Sequence, residues 1–166
     1  MDATAWRVGL GYDSHRLEAG RALIIGGVRV PFERGLLGHS DGDVLLHAIG
    51  DALVGAAGLP DIGRLFPPDE ARWKDADSWL LLQAMARKVR EAGWLVVNVD
   101  AVLVAQAPKI APFVPAMRER IASALQVSVE QVNVRGKTAE GMDDVGAGQG
   151  MIAHAVCLLA RASSAG

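Results

Sequence analysis

A chain of 166 residues, 51% of them hydrophobic, has room for one domain with a substantial core and is too short for two comfortable ones. Acidic and basic side chains nearly cancel at a formal net charge of −2, and no lysine or arginine run marks a nucleic-acid footprint, so a duplex-binding role is set aside. The single cysteine, Cys157 in AHAVCLLA, is expected as a buried strand residue, no stretch is apolar for long enough to span a bilayer, and the opening MDATAWRVG lacks a basic start followed by an apolar run, so the expected setting is the cytoplasm.

In chain order, WRVGLGYDSH reads as a strand that runs into a loop. If it stays extended to its end, the period of two puts Asp13 and His15 on one face. On its own, an Asp-x-His triplet reads more readily as ordinary polar residues at a strand end. ALIIGGVRVPF, two apolar runs around Gly26 and Gly27, predicts a tight hairpin with a primed turn. GHSDGDVLLH starts like a loop and ends like a helix, with Ser40 or Asp41 as the expected N-cap. From there Val44, Leu45, Ala48, Ile49, Ala52, Leu53 and Ala56 recur at helical spacing and form the predicted buried stripe. His47 lies off it, with Asp43 and Asp51 four residues to either side. Such a polar stripe either faces solvent or holds a metal beside a phosphate. The helix should end near Gly55 to Gly58, with Pro60 beyond.

PDIGRLFPPDEARW, Pro60 to Trp73, carries three prolines and no regular period, and is expected as a mobile flap with Asp61, Asp69 and Glu70 as polar contacts. The Asp75 to Ser78 region should cap a helix with Leu81, Ala84, Met85 and Val89 inward. WLVVNVDAVLVAQ follows as a β-branched strand, and the proline-rich turn APKIAPFVP places Lys109 at its terminus. A helix from about Phe113 to Gln126 presents Val114, Met117, Ile121 and Leu125 to the core. QVNVRGKT is a strand leading into AEGMDDVGAGQG, and MIAHAVCLLARA is the last strand.

The strand–helix–strand pattern of the second half suggests a right-handed crossover unit, and the hairpin of the first half makes the sheet mixed. The expected fold is α+β: one domain over residues 1–166, one mixed β-sheet, and helices on one face. Strands as apolar as LVVNVDAVLVA and AHAVCLLA leave no polar side, so the other face should be covered by association through the sheets.

Asp13, His15 and His47 together suit a borderline divalent ion such as zinc, with a fourth position left for a substrate oxygen. His39 and Ser40, just ahead of a helix N-terminus, stand where an anion would bind. His154, inside the last apolar strand, is read as a satisfied core or interface histidine.

GYDSH, IIGGVRVPFERGLLGHSDGDVLLHAIGDALVGAAGLPDIGRLFP, NVDAVLVAQAPKIAP and VNVRGKTAEG closely resemble the 2-C-methyl-D-erythritol 2,4-cyclodiphosphate synthases of the non-mevalonate isoprenoid pathway, in family order from about Arg7 to Leu159. The resemblance implies a homotrimer of α+β subunits with active sites between neighbours, and a small CDP-linked substrate. It implies zinc, or another divalent transition metal, one per subunit on Asp13, His15 and His47. Magnesium or manganese would sit with the diphosphate, near Glu140. His39 and Ser40 would contact phosphate and the methylerythritol unit. Asp61, Ile62 and Gly63 would meet the ribose, and Phe66, Pro67, Pro68, Asp69 and Glu70 would close over substrate. The cytosine pocket would be Ala105, Gln106, Ala107, Pro108, Lys109, Ile110 and Ala111, and Thr138, Ala139 and Glu140 would bind the diphosphate, with His39 and Thr138 catalytic.

In the implied reaction the 2-phosphate of 4-diphosphocytidyl-2-C-methyl-D-erythritol 2-phosphate attacks the β-phosphorus and expels CMP. Two other readings of the same residues are a trimeric prenyl-diphosphate-binding regulatory protein without turnover and a metal-dependent phosphohydrolase. The chain departs from many relatives at Lys137, Asp144, Ala147 and Gln149. Lys137 is expected to help hold the diphosphate, and an axial cavity near Ala147 and Gln149 to bind prenyl diphosphates poorly.

Overall fold

The computed structural model describes residues 5–163. Residues 1–4, which open the segment read as lacking a leader, lie outside it. Seven strands and five α-helices form a five-stranded mixed sheet and a separate two-stranded ribbon. Strand β1 (Trp6–Ala19) pairs antiparallel with β4 (Arg34–Leu36) on one side and with β7 (Gly150–Arg161) on the other. Beyond β7 come β5 (Trp94–Val104), antiparallel to it, and β6 (Val132–Lys137), parallel to β5, giving the order β4-β1-β7-β5-β6. The crossover expected in the second half is β5–α4–β6, with α4 spanning Val114–Leu125.

β1 does not give way to a loop at His15. It stays extended through Ala19, because β7 pairs with it as far as Arg16 and β4 takes over from Leu17. The alternation therefore holds through Asp13 and His15, which share the side of Gly9 and Gly11. That side is covered by α1 (Val44–Ala56), whose backbone approaches closely: a Cβ at Gly9 would fall 1.9 Å from Ala52 O, and one at Gly11 would fall 1.7 Å from Ala48 O. Only glycine permits this contact, and it brings one face of α1 against the strand carrying Asp13 and His15.

α1 is buried nearly all round rather than along one stripe. Leu46, Gly50 and Val54 are also inside, because α3 (Ser78–Glu91) packs on its far side and α4 packs on α3. The N-cap is Asp43, not Ser40 or Asp41: its carboxylate accepts from Leu46 N at 3.1 Å. Asp43 is fully buried and also accepts from Gly26 N at 2.9 Å and Gly27 N at 2.7 Å, at the tip of the hairpin β2 (Leu23–Ile25) to β3 (Val28–Val30). Both glycines have positive φ, as a primed turn requires. The solvent-facing reading of the stripe thus fails for Asp43, which ties the hairpin to the helix.

The segment after Pro60 has more order than its prolines suggest: α2 (Ile62–Leu65), capped by Asp61, and a 3₁₀ turn at Ala71–Trp73. The cap of α3 is Asp77, which accepts from Trp79 N. AEGMDDVGAGQG holds the short α5 (Asp143–Gly146). Cys157 is buried as expected, and burial pushes its thiol up to about 11, against a weaker opposing backbone hydrogen bond with Gly9.

All the long helices lie on one face of the sheet. The opposite face carries Val8 (69% exposed), Leu10 (71%), Tyr12 (54%) and Val156 (45%), a contiguous apolar surface that nothing among the described residues covers. His154 belongs to this face. It is exposed, with its ring against the edge of Tyr12 at 5.3 Å between centroids, so the core reading of His154 is wrong. No helix among the described residues is long and apolar enough to cross a membrane.

Candidate active site

Asp13 and His15 project from β1 toward α1, and His47, one turn into α1, projects back toward them. Asp13 Oδ2 lies 2.9 Å from His15 Nε2 and 3.0 Å from His47 Nδ1, and the two ring nitrogens are 3.3 Å apart. Three donors around one divalent ion, each bonded at about 2.0–2.2 Å in tetrahedral geometry, stand roughly 3.3 Å from one another. The trio is close to that spacing, and one carboxylate with two imidazoles is a donor set a divalent transition metal takes. Among the described residues it is the only such group of histidine, cysteine and acidic side chains.

Burial pushes the Asp13 carboxyl up, but hydrogen bonds from His15 and His47 and their charge outweigh it and hold it at about 2. His15 moves the other way. Burial lowers it, while the Asp13 hydrogen bond and charge, helped by the Leu37 backbone, leave it above the ordinary imidazole value. Asp43 behind them is pushed up to about 6 by burial, offset in part by its three N–H donors. Asp51 is raised by burial and by the charge of Asp61, although it accepts from Ile62 N at 2.8 Å.

A hollow of about 220 Å³ opens over the trio, bordered by His39, Ser40, Ile62, Gly63, Phe66, Pro68, Trp73 and Leu81. His39 is exposed and Ser40 nearly buried, with its Oγ 3.1 Å from His47 Nε2. The flap residues divide. Phe66 and Pro68 line the hollow, and Phe66 packs edge-on against Trp73 at 4.9 Å between centroids. Pro67 and Asp69 do not line it, and Glu70 pairs with Arg72 instead. Asp61 turns to cap α2 and borders a separate depression with Asp51 and Tyr12.

The remaining candidates gather elsewhere. Ala105, Gln106, Pro108, Lys109, Ile110 and Ala111 line a second hollow, of about 200 Å³, where the ends of β5 and β6 lie side by side. Lys137 and Thr138 border it too. Ala107 precedes Pro108 through a cis peptide and is exposed, and Ala139 is half-buried just beyond the hollow. Thr138 Oγ1 donates to Glu140 Oε1 at 3.0 Å, and Gly141 N donates to Gln106 Oε1 at 3.3 Å, which joins the two loops. The two hollows have no lining residue in common. Asp144 and Gln149 border a third, with Arg16 and Ile152, and Ala147 is outside it.

Four residues of this region carried no sign of a site role in the sequence. Trp73 and Leu81 line the hollow through the packing of the flap against α3. Ser78 and Asp41 meet behind His47: Ser78 Oγ is 2.8 Å from His47 Nε2 and donates to Asp41 Oδ1, while Ser78 N donates to Asp41 Oδ2 at 3.1 Å. The Asp-Ser pair at 77–78 was legible only as a helix start.

Residues 6–160 match the model of the YgbB family. Over 153 residues the chain is 56% identical to a protein of Synechococcus sp. (strain JA-2-3B'a(2-13)) named 2-C-methyl-D-erythritol 2,4-cyclodiphosphate synthase, covering 92% of this chain and 98% of that one. A protein of the same name from Moorella thermoacetica is 55% identical, covering 92% and 94%. A solved structure of 2C-methyl-D-erythritol-2,4-cyclodiphosphate synthase in a form with bound CDP superposes with a TM-score of 0.85 at 38% identity, covering 92% of this chain and 99% of that one.

Proposed function

The chain belongs to the YgbB family of 2-C-methyl-D-erythritol 2,4-cyclodiphosphate synthases, and from that premise we propose how its own residues carry the reaction. It converts 4-diphosphocytidyl-2-C-methyl-D-erythritol 2-phosphate to the 2,4-cyclodiphosphate and CMP, in isoprenoid precursor synthesis. The observation that carries the assignment of roles is the convergence of Asp13, His15 and His47 beneath a hollow bordered by His39 and Ser40.

The attacking group, a phosphate monoester, is already largely dianionic near neutral pH, so the protein need place no strong base. What it must supply is alignment of two mutually repelling anions and neutralisation of charge as bonds change. Zinc or a similar divalent ion on Asp13, His15 and His47, with magnesium or manganese on the diphosphate beside Glu140, would supply the larger part of that neutralisation. His39 and Thr138 donate hydrogen bonds to the transferring group, and Ser40 holds the phosphate beside it. Phe66, Pro67, Pro68, Asp69 and Glu70 cover the substrate and limit attack by water. Trp73 borders the same hollow and packs edge-on against Phe66. The segment Ala105–Ala111 takes the cytosine, Asp61, Ile62 and Gly63 the ribose, and Lys137, Thr138 and Ala139 the diphosphate.

We place the working site between subunits of a homotrimer. Two observations support this: the uncovered apolar face of the sheet, and two hollows that share no residue within one chain. The whole chain, 1–166, then acts as one cytoplasmic synthase domain. The regulatory reading is set aside, because the relatives over nearly all of the chain are named as synthases.

The test is incubation of the purified protein with the CDP-linked substrate, zinc and magnesium. CMP with the cyclic diphosphate is expected. Open-chain product would indicate a hydrolase, and absence of turnover a binding protein; either would overturn these roles.

A further inference from the structure

The reading of Asp13, His15 and His47 as metal ligands leaves one arrangement behind them unused. His47 turns Nδ1 toward Asp13 and His15, so its other nitrogen, Nε2, points away from the trio into the protein. There it meets Ser78 Oγ at 2.8 Å, and Ser78, almost wholly buried, donates its own hydroxyl hydrogen bond to the carboxylate of Asp41. Resting on the metal-site reading, we infer that Ser78 and Asp41 are positioning residues that fix the ring orientation of His47 and hold its proton on Nε2 when Nδ1 ligates the metal in place of its contact with Asp13.

The donor–acceptor arithmetic with a ligating Nδ1 runs through Ser78 to Asp41. A ligating Nδ1 carries no proton, so neutral His47 carries its proton on Nε2 and must donate. Ser78 Oγ accepts that hydrogen bond and donates its own to Asp41 Oδ1, while Asp41 Oδ2 accepts from Ser78 N at 3.1 Å. An acceptor already donating to a carboxylate is a stronger acceptor, and it cannot reverse its direction. Ser40 Oγ, at 3.1 Å from the same Nε2, is the competing partner, but it also stands at the hollow, where the phosphate is expected. Ser78 is better placed by distance, and by accepting from His47 it leaves Ser40, whose Oγ also lies 3.2 Å from Ser78 Oγ and accepts from Gly42 N at 3.4 Å, to turn its hydroxyl to the substrate.

The relay also reaches the flap. Asp41 N donates to Ala76 O at 3.2 Å, and Asp75 N donates to His39 O at 2.9 Å. The loop that carries His39 and Ser40 is thereby stitched to the segment leading into α3, with Ser78 at the seam. The metal ligand, the phosphate-side loop and the end of the flap are held by one set of hydrogen bonds.

The test compares wild type, Ser78→Ala and Asp41→Asn by cobalt(II) titration of the metal-stripped protein, following the visible absorption of the bound ion. Long-range proton–nitrogen spectra of the imidazoles report which nitrogen of His47 is protonated. Removing an outer partner of a ligating histidine typically weakens metal binding about 10–100-fold. Ser78→Ala should therefore bind cobalt at least about tenfold more weakly, with an altered absorption band and a mixture of His47 tautomers, while its metal-free melting temperature stays near that of wild type. Asp41→Asn, which keeps an oxygen acceptor, should show a smaller loss in the same direction, and it carries the test alone should Ser78→Ala not fold. Wild-type cobalt affinity, spectrum and tautomer in both variants, or in Asp41→Asn where it alone folds, would overturn the relay and leave the metal site standing. Failure of wild type to bind cobalt at the trio would overturn the metal site and the relay with it.

Discussion

His47 sits with its side chain 12% exposed between a carboxylate and a serine, and its substitution separates chemistry from folding. His47→Ala removes a ligand while the apolar residues of α1 stay packed, so turnover should fall by at least about a thousandfold with the melting temperature shifted by only a few degrees, roughly what ~1 kcal/mol produces. Asp13→Asn should act alike, with weakened zinc. Elemental analysis beside an activity assay checks both, and near-normal turnover with stoichiometric zinc in either variant would show the ligands to be misassigned. The pH dependence follows from His15. Its value is raised by Asp13, so the protonated pair stabilises the metal-free protein below the ordinary imidazole value, and that contribution is lost as pH rises through the raised value. A metal needs the deprotonated ring, so apparent affinity should fall as pH drops below the raised value, with one proton displaced per ion. Calorimetry in buffers of different ionisation enthalpy counts that proton; a pH-independent affinity would contradict it. Lys137, exposed at the rim of the second hollow, is a flexible point charge beside Thr138. Lys137→Thr should raise KM by roughly tenfold, about 1.4 kcal/mol, with kcat little changed. Unchanged kinetics would leave the lysine to solvent.

Among the elements, α1 and β1 form the unit on which the site depends, because two glycines let the helix lie directly on the strand. The second support is Asp43, which caps α1 and at the same time accepts two N–H groups from the hairpin tip. Asp43→Ala would strand those donors in a place without water, and unsatisfied buried groups cost about 1–3 kcal/mol each. We expect a loss of at least about 2 kcal/mol in chemical denaturation, accompanied by weaker metal binding as α1 shifts against β1. A variant as stable as wild type would mean that the hairpin reaches its position by packing alone. The glycine pair of the hairpin and the helix period were both visible in the sequence. That Asp43 joins them was not, since Gly26 and Asp43 are seventeen residues apart and only the folded chain makes them neighbours.

For the whole molecule the uncovered face of the sheet is decisive. Val8, Leu10, Tyr12 and Val156 would remain in water in an isolated subunit, and a patch of that kind marks an association surface. Leu10→Arg adds a charge on this face without touching the helix side, so it should leave a folded monomer in sedimentation velocity and abolish turnover, because each proposed site needs a neighbour. An active monomer would place the complete site within one chain. The exposed His154–Tyr12 pair lies on the same face, and this separates the two readings of that histidine: its position excludes the core and agrees with an interface.

Local pattern by itself determined the three long helices, the hairpin turn, the placing of Asp13 and His15 on one side of a strand, and most of the strands, though not β4 or the full length of β1; what it determined rests on a period or a turn residue within a few positions. The resemblance of the motifs, residue by residue, supplied the family. Tertiary structure alone decided which residues share a cavity, because cavities are bounded by elements distant in the chain. Asp61 and Glu70 were legible as polar residues of the flap, and only the fold shows that Asp61 caps α2 and that Glu70 pairs with Arg72. Ser78 looked like the start of a helix and stands behind His47, thirty-one residues away. Hydrogen-bond partners at that separation leave no periodic trace, so only the packing of α1 between β1 and α3 brings them together.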